Sequence, residues 1–170
     1  TYNSKGLLVK KAGTAKNIKG TLVNYSSTVT YDAQGRVVES GETSNGRHFM
    51  QKDVTYDDKG RITSYEKSLY SNGKYTKALI ENVYDTWSGT LYLVKDKTSG
   101  TILWQLDETL ASGQLTKTKL GKSTIKNLYD YNNMLSSIQH TSVSSPQIVD
   151  VTYSFDAIKN ELTSRITSGD

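Results

Sequence analysis

The acidic side chains are the groups in this sequence with the most direct capacity for chemistry. Two pairs of adjacent carboxylates occur, Asp57-Asp58 and Asp107-Glu108, and paired carboxylates can carry out general acid–base catalysis. In each pair the two residues are sequence neighbours in a turn-like segment, and the sequence assigns no catalytic partner to either pair. Solvated turns are the alternative role, and we predict that the chain is not an enzyme.

Metal ligands and nucleophilic motifs are equally sparse. The sequence of 170 residues contains no cysteine and two histidines, His48 and His140, which lie in polar stretches without zinc-binding spacing or a nucleophile elbow. The loop patterns that bind calcium are also missing from the sequence. We therefore predict neither a metal nor a cofactor.

Aromatic side chains offer a second kind of chemistry, the binding of sugar rings. Trp87, Trp104 and Tyr92 are candidates for a glycan-binding platform, because an aromatic ring has an apolar face and a polar tip. Further candidates for this platform are Tyr65, Tyr70 and Tyr75. Packing on the face of a repeat is the alternative role for all of them. Choline-type cell-wall-binding repeats are much richer in Trp than this chain, which has two.

Charge and composition narrow the class of protein further. The net charge is +4, from 21 Lys and Arg against 17 Asp and Glu, but the lysines are dispersed, so we predict no nucleic-acid partner. No apolar run approaches the length of a membrane-spanning helix. Hydrophobic residues make up 35% of the chain, which favours a thin core. The chain shows no signal peptide and starts with Thr1 rather than Met, so we expect a fragment of a longer protein.

One short pattern recurs about every 25 residues along the chain. It consists of an aromatic residue, an acid or amide, two or three variable residues, Gly or Asn, and then aliphatic residues. About seven copies cover residues 1–170 as one array without a second domain. One copy is looser and reads Leu106-Asp107 with Gly113. The signature residues of the other copies are Tyr2 and Gly6; Tyr31, Asp32 and Gly35; Tyr56, Asp57 and Gly60; Tyr84, Asp85 and Gly89; Tyr129, Asp130 and Asn133; and Phe155, Asp156 and Asn160.

Each copy has the features of a β-hairpin. Apolar and polar residues alternate before the aromatic residue, as in Val149, Val151 and Tyr153. The acid that follows can accept hydrogen bonds from backbone N–H groups two residues on. The small or amide residue suits the left-handed position of a type I turn with a G1 bulge. We therefore predict positive φ at five of these residues: Gly6, Gly35, Gly60, Asn133 and Asn160.

Further turn signals lie between the copies, at Asn45-Gly46, Asn72-Gly73 and Ser99-Gly100. The segment Ile102–Leu115 has apolar residues at helical spacing, but its first residues are in phase with the repeat, which favours strands. The predicted fold class is all-β, with tandem antiparallel hairpins forming a curved, repeat-built sheet.

The series Tyr31-Asp32 to Gly35-Arg36, Tyr56-Asp57 to Gly60-Arg61 and Phe155-Asp156 to Asn160 resembles the YD repeats of RHS-family proteins. The resemblance covers essentially the whole chain. In that family the repeats form a continuous spiralling sheet, which closes into a hollow shell around a polypeptide such as a toxin or effector. Seven copies are fewer than a closed shell needs, so the resemblance implies one section of the wall.

The resemblance implies a structural role as a wall segment that encloses a toxin or effector polypeptide. The expected partners are the remaining repeats and the cargo domain of the parent protein. The expected location is secreted or on the cell surface of a bacterium. The alternative is a carbohydrate-binding or adhesion module that uses the exposed Tyr and Trp residues. Open sheet edges would also permit self-association through edge strands.

Overall fold

Strands make up the regular structure of this chain. The computed structural model describes residues 1–158 and 161–169, and within these residues it contains thirteen β-strands and no α-helix. Within each of the two compact units described below, neighbouring strands are antiparallel and follow one another in the order of the chain. The predicted all-β class, built from tandem antiparallel hairpins, is confirmed.

Two compact units divide the chain. The N-terminal unit comprises Thr1–Asn82 and Asp96–Gly100, and the C-terminal unit comprises Val83–Lys95 and the described residues from Thr101 onward. The first six strands, the last of which ends just beyond the N-terminal unit, are β1 Lys10–Lys16, β2 Leu22–Tyr31, β3 Val37–Ser44, β4 Arg47–Tyr56, β5 Ile62–Ser71 and β6 Lys74–Tyr84. The remaining strands are β7 Leu91–Asp96, β8 Ile102–Thr109, β9 Leu115–Leu120, β10 Ser123–Tyr129, β11 Leu135–Ser142, β12 Val149–Phe155 and β13 Leu162–Ser168. The segment Ile102–Leu115 consists of β8, a turn and the first residue of β9, so the preference for strands over a helix is confirmed.

Left-handed backbone positions make the predicted turns possible. Gly6, Gly35, Gly60 and Asn133 have φ values of 77°, 84°, 76° and 61°, which confirms the prediction for these four residues. Asn160, the fifth, lies outside the described residues. The strands that precede the turns at Gly35, Gly60 and Asn133 each end at a tyrosine. The turn at Gly6 follows Tyr2, which forms an isolated bridge with Leu8.

Two-residue turns connect other strands. Asn45-Gly46 and Asn72-Gly73 have positive φ at both residues, and the flanking pairs Ser44–Arg47 and Ser71–Lys74 face each other directly. Positive φ at both central residues is the definition of the type I′ turn, whose twist matches that of paired strands. These two hairpin signals in the sequence are thus confirmed.

The two faces of each unit differ in chemistry. Directly opposite residues of an antiparallel pair lie on the same face, and neighbours along a strand alternate. In the N-terminal unit one face, the tyrosine face, carries Tyr56 and Tyr65 with the buried side chains of Val54 and Ile80. The other face, the charged face, carries Glu66 with Lys52 and Lys77 at 3.4 Å each.

The C-terminal unit repeats this division. Its tyrosine face carries Thr118, Ile125, Tyr129 and the buried Val151. Its charged face carries the ion pairs Lys119–Asp107 at 3.3 Å and Lys117–Glu108 at 3.1 Å. Each unit is a single sheet, and its buried apolar side chains are few, with Val54, Ile80 and Val151 each 6% exposed.

Gly60→Ala should destabilise the chain by about 1 kcal/mol, because a left-handed conformation costs a residue with a Cβ about 1–2 kcal/mol. No atom lies within 4 Å of the Cβ that the substitution adds, so the cost is purely conformational. Chemical denaturation measures the change in the free energy of unfolding. Gly60→Asn, the residue type found at φ 61° in Asn133, should cost less. Equal stability of wild type and Gly60→Ala would contradict the turn assignment.

Candidate functional site: the Tyr-Asp turns and the aromatic residues

The aspartate of each signature organises the turn that follows it. In the second copy Asp32 Oδ1 accepts hydrogen bonds from the backbone N–H groups of Gln34 at 3.0 Å and Arg36 at 2.9 Å. Asp57 and Asp130 make the same two bonds in their turns. Asp85 and Asp156 accept the bond from two residues on. The predicted role of the acid as a turn acceptor is confirmed in these copies.

An arginine uses the second oxygen of the carboxylate in two copies. Arg36 Nε donates to Asp32 Oδ2 at 2.7 Å, and Arg61 Nε donates to Asp57 Oδ2 at 2.7 Å. The guanidinium of Arg36 also lies 4.4 Å from the centre of the Tyr56 ring, a distance at which a cation is attracted by the ring. The acid of one copy is thereby connected to the tyrosine of the next copy.

These contacts shift the pKa of the turn aspartates. Burial raises the pKa of Asp32, but the backbone N–H of Arg36 and the Arg36 side chain outweigh it and lower the pKa below its ordinary value. The backbone N–H of Arg61 is the main cause of the lowered pKa of Asp57. Hydrogen bonds from Ser88 lower the pKa of Asp85. Such carboxylates are held ionised as structural acceptors, which is the opposite of a poised general acid.

The tyrosine hydroxyls of three signatures reach back to the preceding copy. Tyr56 Oη donates to the carbonyl of Val37 at 2.6 Å, and Tyr31 Oη donates to that of Leu8 at 2.9 Å. In the C-terminal unit Tyr129 Oη donates to the carbonyl of Leu115 at 2.9 Å. The acceptor is in every case the first strand residue after the turn, directly opposite the residue that ends the preceding strand. We call this bond the inter-copy tyrosine bond.

An asparagine two residues before the tyrosine makes a related contact. Asn127 Nδ2 donates to the carbonyl of Leu115 at 3.0 Å, beside the Tyr129 hydroxyl, and Asn82 Nδ2 donates to that of Ile62 at 3.0 Å. The sequence shows these amides only as polar interruptions of an apolar stripe. Their role was missed because the acceptor lies in another copy of the repeat.

The looser copy was aligned wrongly from the sequence. Its turn begins at Leu110 and not at Asp107, because the N–H of Leu110 donates to Gln114 O and that of Gly113 donates to Leu110 O, both at 2.9 Å. Thr109, opposite Leu115, occupies the position of the tyrosine. Asp107 lies on strand β8 and pairs with Lys119. The sequence pattern gives the acidic residue too much weight, because in this turn Leu110 stands in the place of the acid and closes the turn through its backbone.

One turn of the same kind has no aromatic residue before it and was not found in the sequence. Asn17 Oδ1 accepts from the N–H groups of Lys19 and Thr21 at 2.9 and 3.0 Å, and Gly20 has a φ of 77°. The signal that identifies it is an amide three residues before a glycine. Asn3 in the first copy uses its side chain in the same way.

The candidate platform residues lie in different settings. Trp87 is in the turn before β7 with 97% of its surface exposed, whereas Trp104 is half-buried on β8. Tyr92, 40% exposed, shares the tyrosine face with Trp104, because Leu93 is opposite Gln105 and Val94 is opposite Trp104. The other three tyrosines are divided between faces, with Tyr65 on the tyrosine face and Tyr70 opposite Tyr75 on the charged face.

A groove borders Tyr92 in the C-terminal unit. It has a volume of about 600 Å³, and its lining includes Tyr92, Leu106 and Leu110 together with the acidic residues Asp85, Asp107 and Glu108. Glu108 is paired with Lys117 and Asp85 is bonded to its own turn. Among the described residues no group of three His, Asp or Glu side chains is arranged to hold a metal ion. The described chain also has no helix suited to spanning a bilayer.

Comparison with known proteins finds similar solved structures but no matching sequence. No family model and no curated protein sequence matches the chain. Among solved structures, the chain is similar to a chain in the structure of the Photorhabdus luminescens Tc holotoxin pore, with 13% sequence identity and a TM-score of 0.38. The similarity covers 93% of this chain and 11% of that chain, so this chain spans a small part of its length. A similarity of this extent does not assign the chain to a family.

Asp57→Asn should make stability less sensitive to acid. A carboxylate with a lowered folded pKa contributes stability above its unfolded pKa of about 3.9, and this contribution is lost as pH falls through the folded pKa. The amide keeps the Oδ1 acceptor, as Asn3 and Asn17 show, but loses the ion pair with Arg61. The free energy of unfolding, measured by denaturation between neutral and strongly acidic pH, should therefore fall less steeply. Asp58→Asn is the matched control, because it removes a carboxylate from the same turn and leaves the ion pair between Asp57 and Arg61 in place. An equal effect of the two substitutions would contradict the role of this ion pair.

Tyr56→Phe should lower the free energy of unfolding by about 1 kcal/mol, since it removes the hydrogen bond to Val37 but keeps the ring. Denaturant titration at neutral pH measures this loss. Tyr131→Phe is the matched control, because the Tyr131 ring is 84% exposed in a turn, and its stability should equal that of the wild type. Equal effects of the two substitutions would contradict a role for the inter-copy tyrosine bond.

Proposed function

We propose that this chain is a non-enzymatic section of the wall of an RHS/YD-repeat shell that encloses a toxin or effector polypeptide. The observation that carries the proposal is the inter-copy tyrosine bond. It recurs at Tyr31, Tyr56 and Tyr129, and it connects neighbouring copies within the sheet itself. A wall one layer thick needs cohesion of this kind, because it has no covering layer to pack against.

The chemistry of the two faces supports the proposal. The charged face carries ion pairs in both units, such as Lys52–Glu66 and Lys119–Asp107, and the lysine side chains of these pairs are exposed to water. The tyrosine face carries the more apolar side chains, including Val54, Ile80 and Val151. We propose that the charged face is outside and that the tyrosine face lines the interior. The mechanism is steric, since a continuous hydrogen-bonded sheet separates the cargo from its targets.

The roles of the carboxylates favour a structural protein over an enzyme. Asp32, Asp57 and Asp85 each accept backbone hydrogen bonds that close a turn, and Asp107 and Glu108 each pair with a lysine. We propose that the parent protein is secreted by a bacterium or located on its surface. Its partners in this proposal are further repeats and the cargo polypeptide.

A carbohydrate-binding or adhesion module is the second candidate function. The observation in its favour is the exposure of Trp87 at 97% and of Tyr92 at 40%, the latter beside the groove in the C-terminal unit. Unlike a wall section, such a module would bind sugars on a glycan array, and Trp87→Ala and Tyr92→Ala would weaken that binding.

The wall proposal predicts unequal access to the two faces. The chain has no cysteine, so single cysteines can be placed at two neighbouring exposed residues of β6. Thr76, opposite Leu69, is on the tyrosine face, and Lys77, opposite Ser68, is on the charged face. In the intact native protein, a large polyethylene glycol maleimide should label Lys77→Cys readily and Thr76→Cys much more slowly, because the interior excludes bulky reagents.

Two controls make this labelling experiment decisive. In denaturant both cysteines should react at the same rate, and in the isolated 170-residue chain both should react in the folded state. Equal labelling of the two faces in the intact native protein would overturn the enclosing-wall function. Gel mobility measures the labelling, since each attached polymer adds mass.

A further inference from the structure

The turn that begins at Asp85 lacks the arginine found in two other turns of the repeat. The N–H of the turn aspartate donates to the carbonyl of Arg36 in the second copy, of Arg61 in the third and of Thr90 in the fourth. Thr90 therefore occupies the position of these arginines, in a turn that is one residue longer. An arginine covers the second carboxylate oxygen in the second and third copies, whereas a threonine stands at this position in the fourth.

Asp85 keeps one carboxylate oxygen without a partner. Its Oδ1 accepts from the backbone N–H groups of Trp87 at 3.1 Å and Ser88 at 2.6 Å, and from Ser88 Oγ at 2.8 Å. No described residue donates to Oδ2, and no described cation pairs with this carboxylate. The hydrogen bonds from Ser88 lower the pKa of Asp85, so the half-buried group is ionised at neutral pH and favours an opposite charge.

The tyrosine ring that accompanies the arginine is also missing at this point. Arg36 lies over the ring of Tyr56, the tyrosine of the next copy, whereas the copy after Asp85 has Thr109 in the tyrosine position. Two small side chains thus stand where an arginine and a tyrosine lie elsewhere. The groove of about 600 Å³ is located here, since Asp85, Thr90 and Thr109 all belong to its lining.

We propose that this groove binds an arginine side chain of a partner polypeptide, which takes the place that Arg36 occupies in its own copy. The guanidinium donates to Oδ2 of Asp85 and stacks on the ring of Tyr92, which also lines the groove. The methylene groups of the arginine pack against Leu106 and Leu110 of the lining. The chain itself provides the precedent, because Arg36 binds a carboxylate and a tyrosine ring together.

The charge of the groove favours a single cation of this shape. Of the acidic residues in the lining, Asp107 and Glu108 are paired with lysines of β9 at 3.3 Å and 3.1 Å, so Asp85 supplies the charge for a ligand. A planar guanidinium matches both a carboxylate and an aromatic face, whereas an ammonium is a compact and strongly hydrated charge. An arginine is therefore preferred to a lysine.

The position of the groove indicates which polypeptide supplies the arginine. Leu106 is opposite Thr118 and therefore on the tyrosine face, which lines the interior in the proposed wall, so the partner is the enclosed cargo. This identification of the partner rests on the proposed function. The site itself does not, because all its residues belong to the C-terminal unit and the isolated chain can be tested for it. The labelling of the two faces tests enclosure separately.

Titration of the 170-residue chain with short peptides tests the site. The probe is a glycine peptide with blocked ends and one central arginine, and the matched controls carry citrulline or lysine instead. In NMR spectra the arginine peptide should shift the backbone amide signals of residues 85–92 and 106–113. It should bind about tenfold more tightly than the uncharged citrulline peptide, and more tightly than the lysine peptide.

Two outcomes of this titration would overturn the proposal. One is the absence of binding to the folded chain at millimolar peptide. The other is equal binding of the arginine and citrulline peptides, which would indicate a neutral ligand such as the sugar of the second candidate function.

Three substitutions locate the contact. Asp85→Asn keeps the Oδ1 acceptor, as Asn3 and Asn17 do in their turns, but removes the charge and should weaken binding about tenfold. Thr90→Arg supplies the arginine from the chain itself and should abolish peptide binding. Asp58→Asn, which removes a carboxylate from a turn of the N-terminal unit, should bind like the wild type. Circular dichroism checks that each variant is folded, and unchanged binding in either folded Asp85→Asn or folded Thr90→Arg would overturn the proposal.

Discussion

A bond between a tyrosine hydroxyl and a backbone carbonyl of the preceding copy holds this array in register. The bulge at the end of each turn shifts the strand register, as at Thr30/Tyr31 and Thr55/Tyr56, and a bulge interrupts the ladder of backbone hydrogen bonds locally. The carbonyl just after the bulge then takes its hydrogen from a side chain of the next copy. Because a backbone carbonyl needs a partner in a folded chain, the carbonyl after each of these turns favours a donor from the next copy, and Tyr31, Tyr56 and Tyr129 supply it.

The thin core follows from the same arrangement. A sheet with no second layer gains little from apolar burial, and few side chains here are buried as deeply as Val54, Ile80 and Val151. Contacts within the plane of the sheet must supply the rest of the stabilisation. Asp32, for example, closes its turn and forms an ion pair with Arg36. Arg36 in turn lies over the ring of Tyr56 in the next copy. The polar composition is therefore a requirement of the architecture, since both faces are accessible to water.

The local part of the fold could be predicted from the sequence, and the contacts between copies could not. Positive φ at Gly35 and Asn133 follows from residue type alone, because few other residues tolerate that conformation. The stacking of Arg36 on Tyr56 depends on the register between copies, which no single copy contains. The bulge at Asp53, a non-glycine residue with a φ of 54°, changes which residues of β4 share a face, and the strand pattern gives no signal for it. The turn at Leu110 could not be located from the sequence, because it lacks the acid or amide that begins the other turns of the repeat.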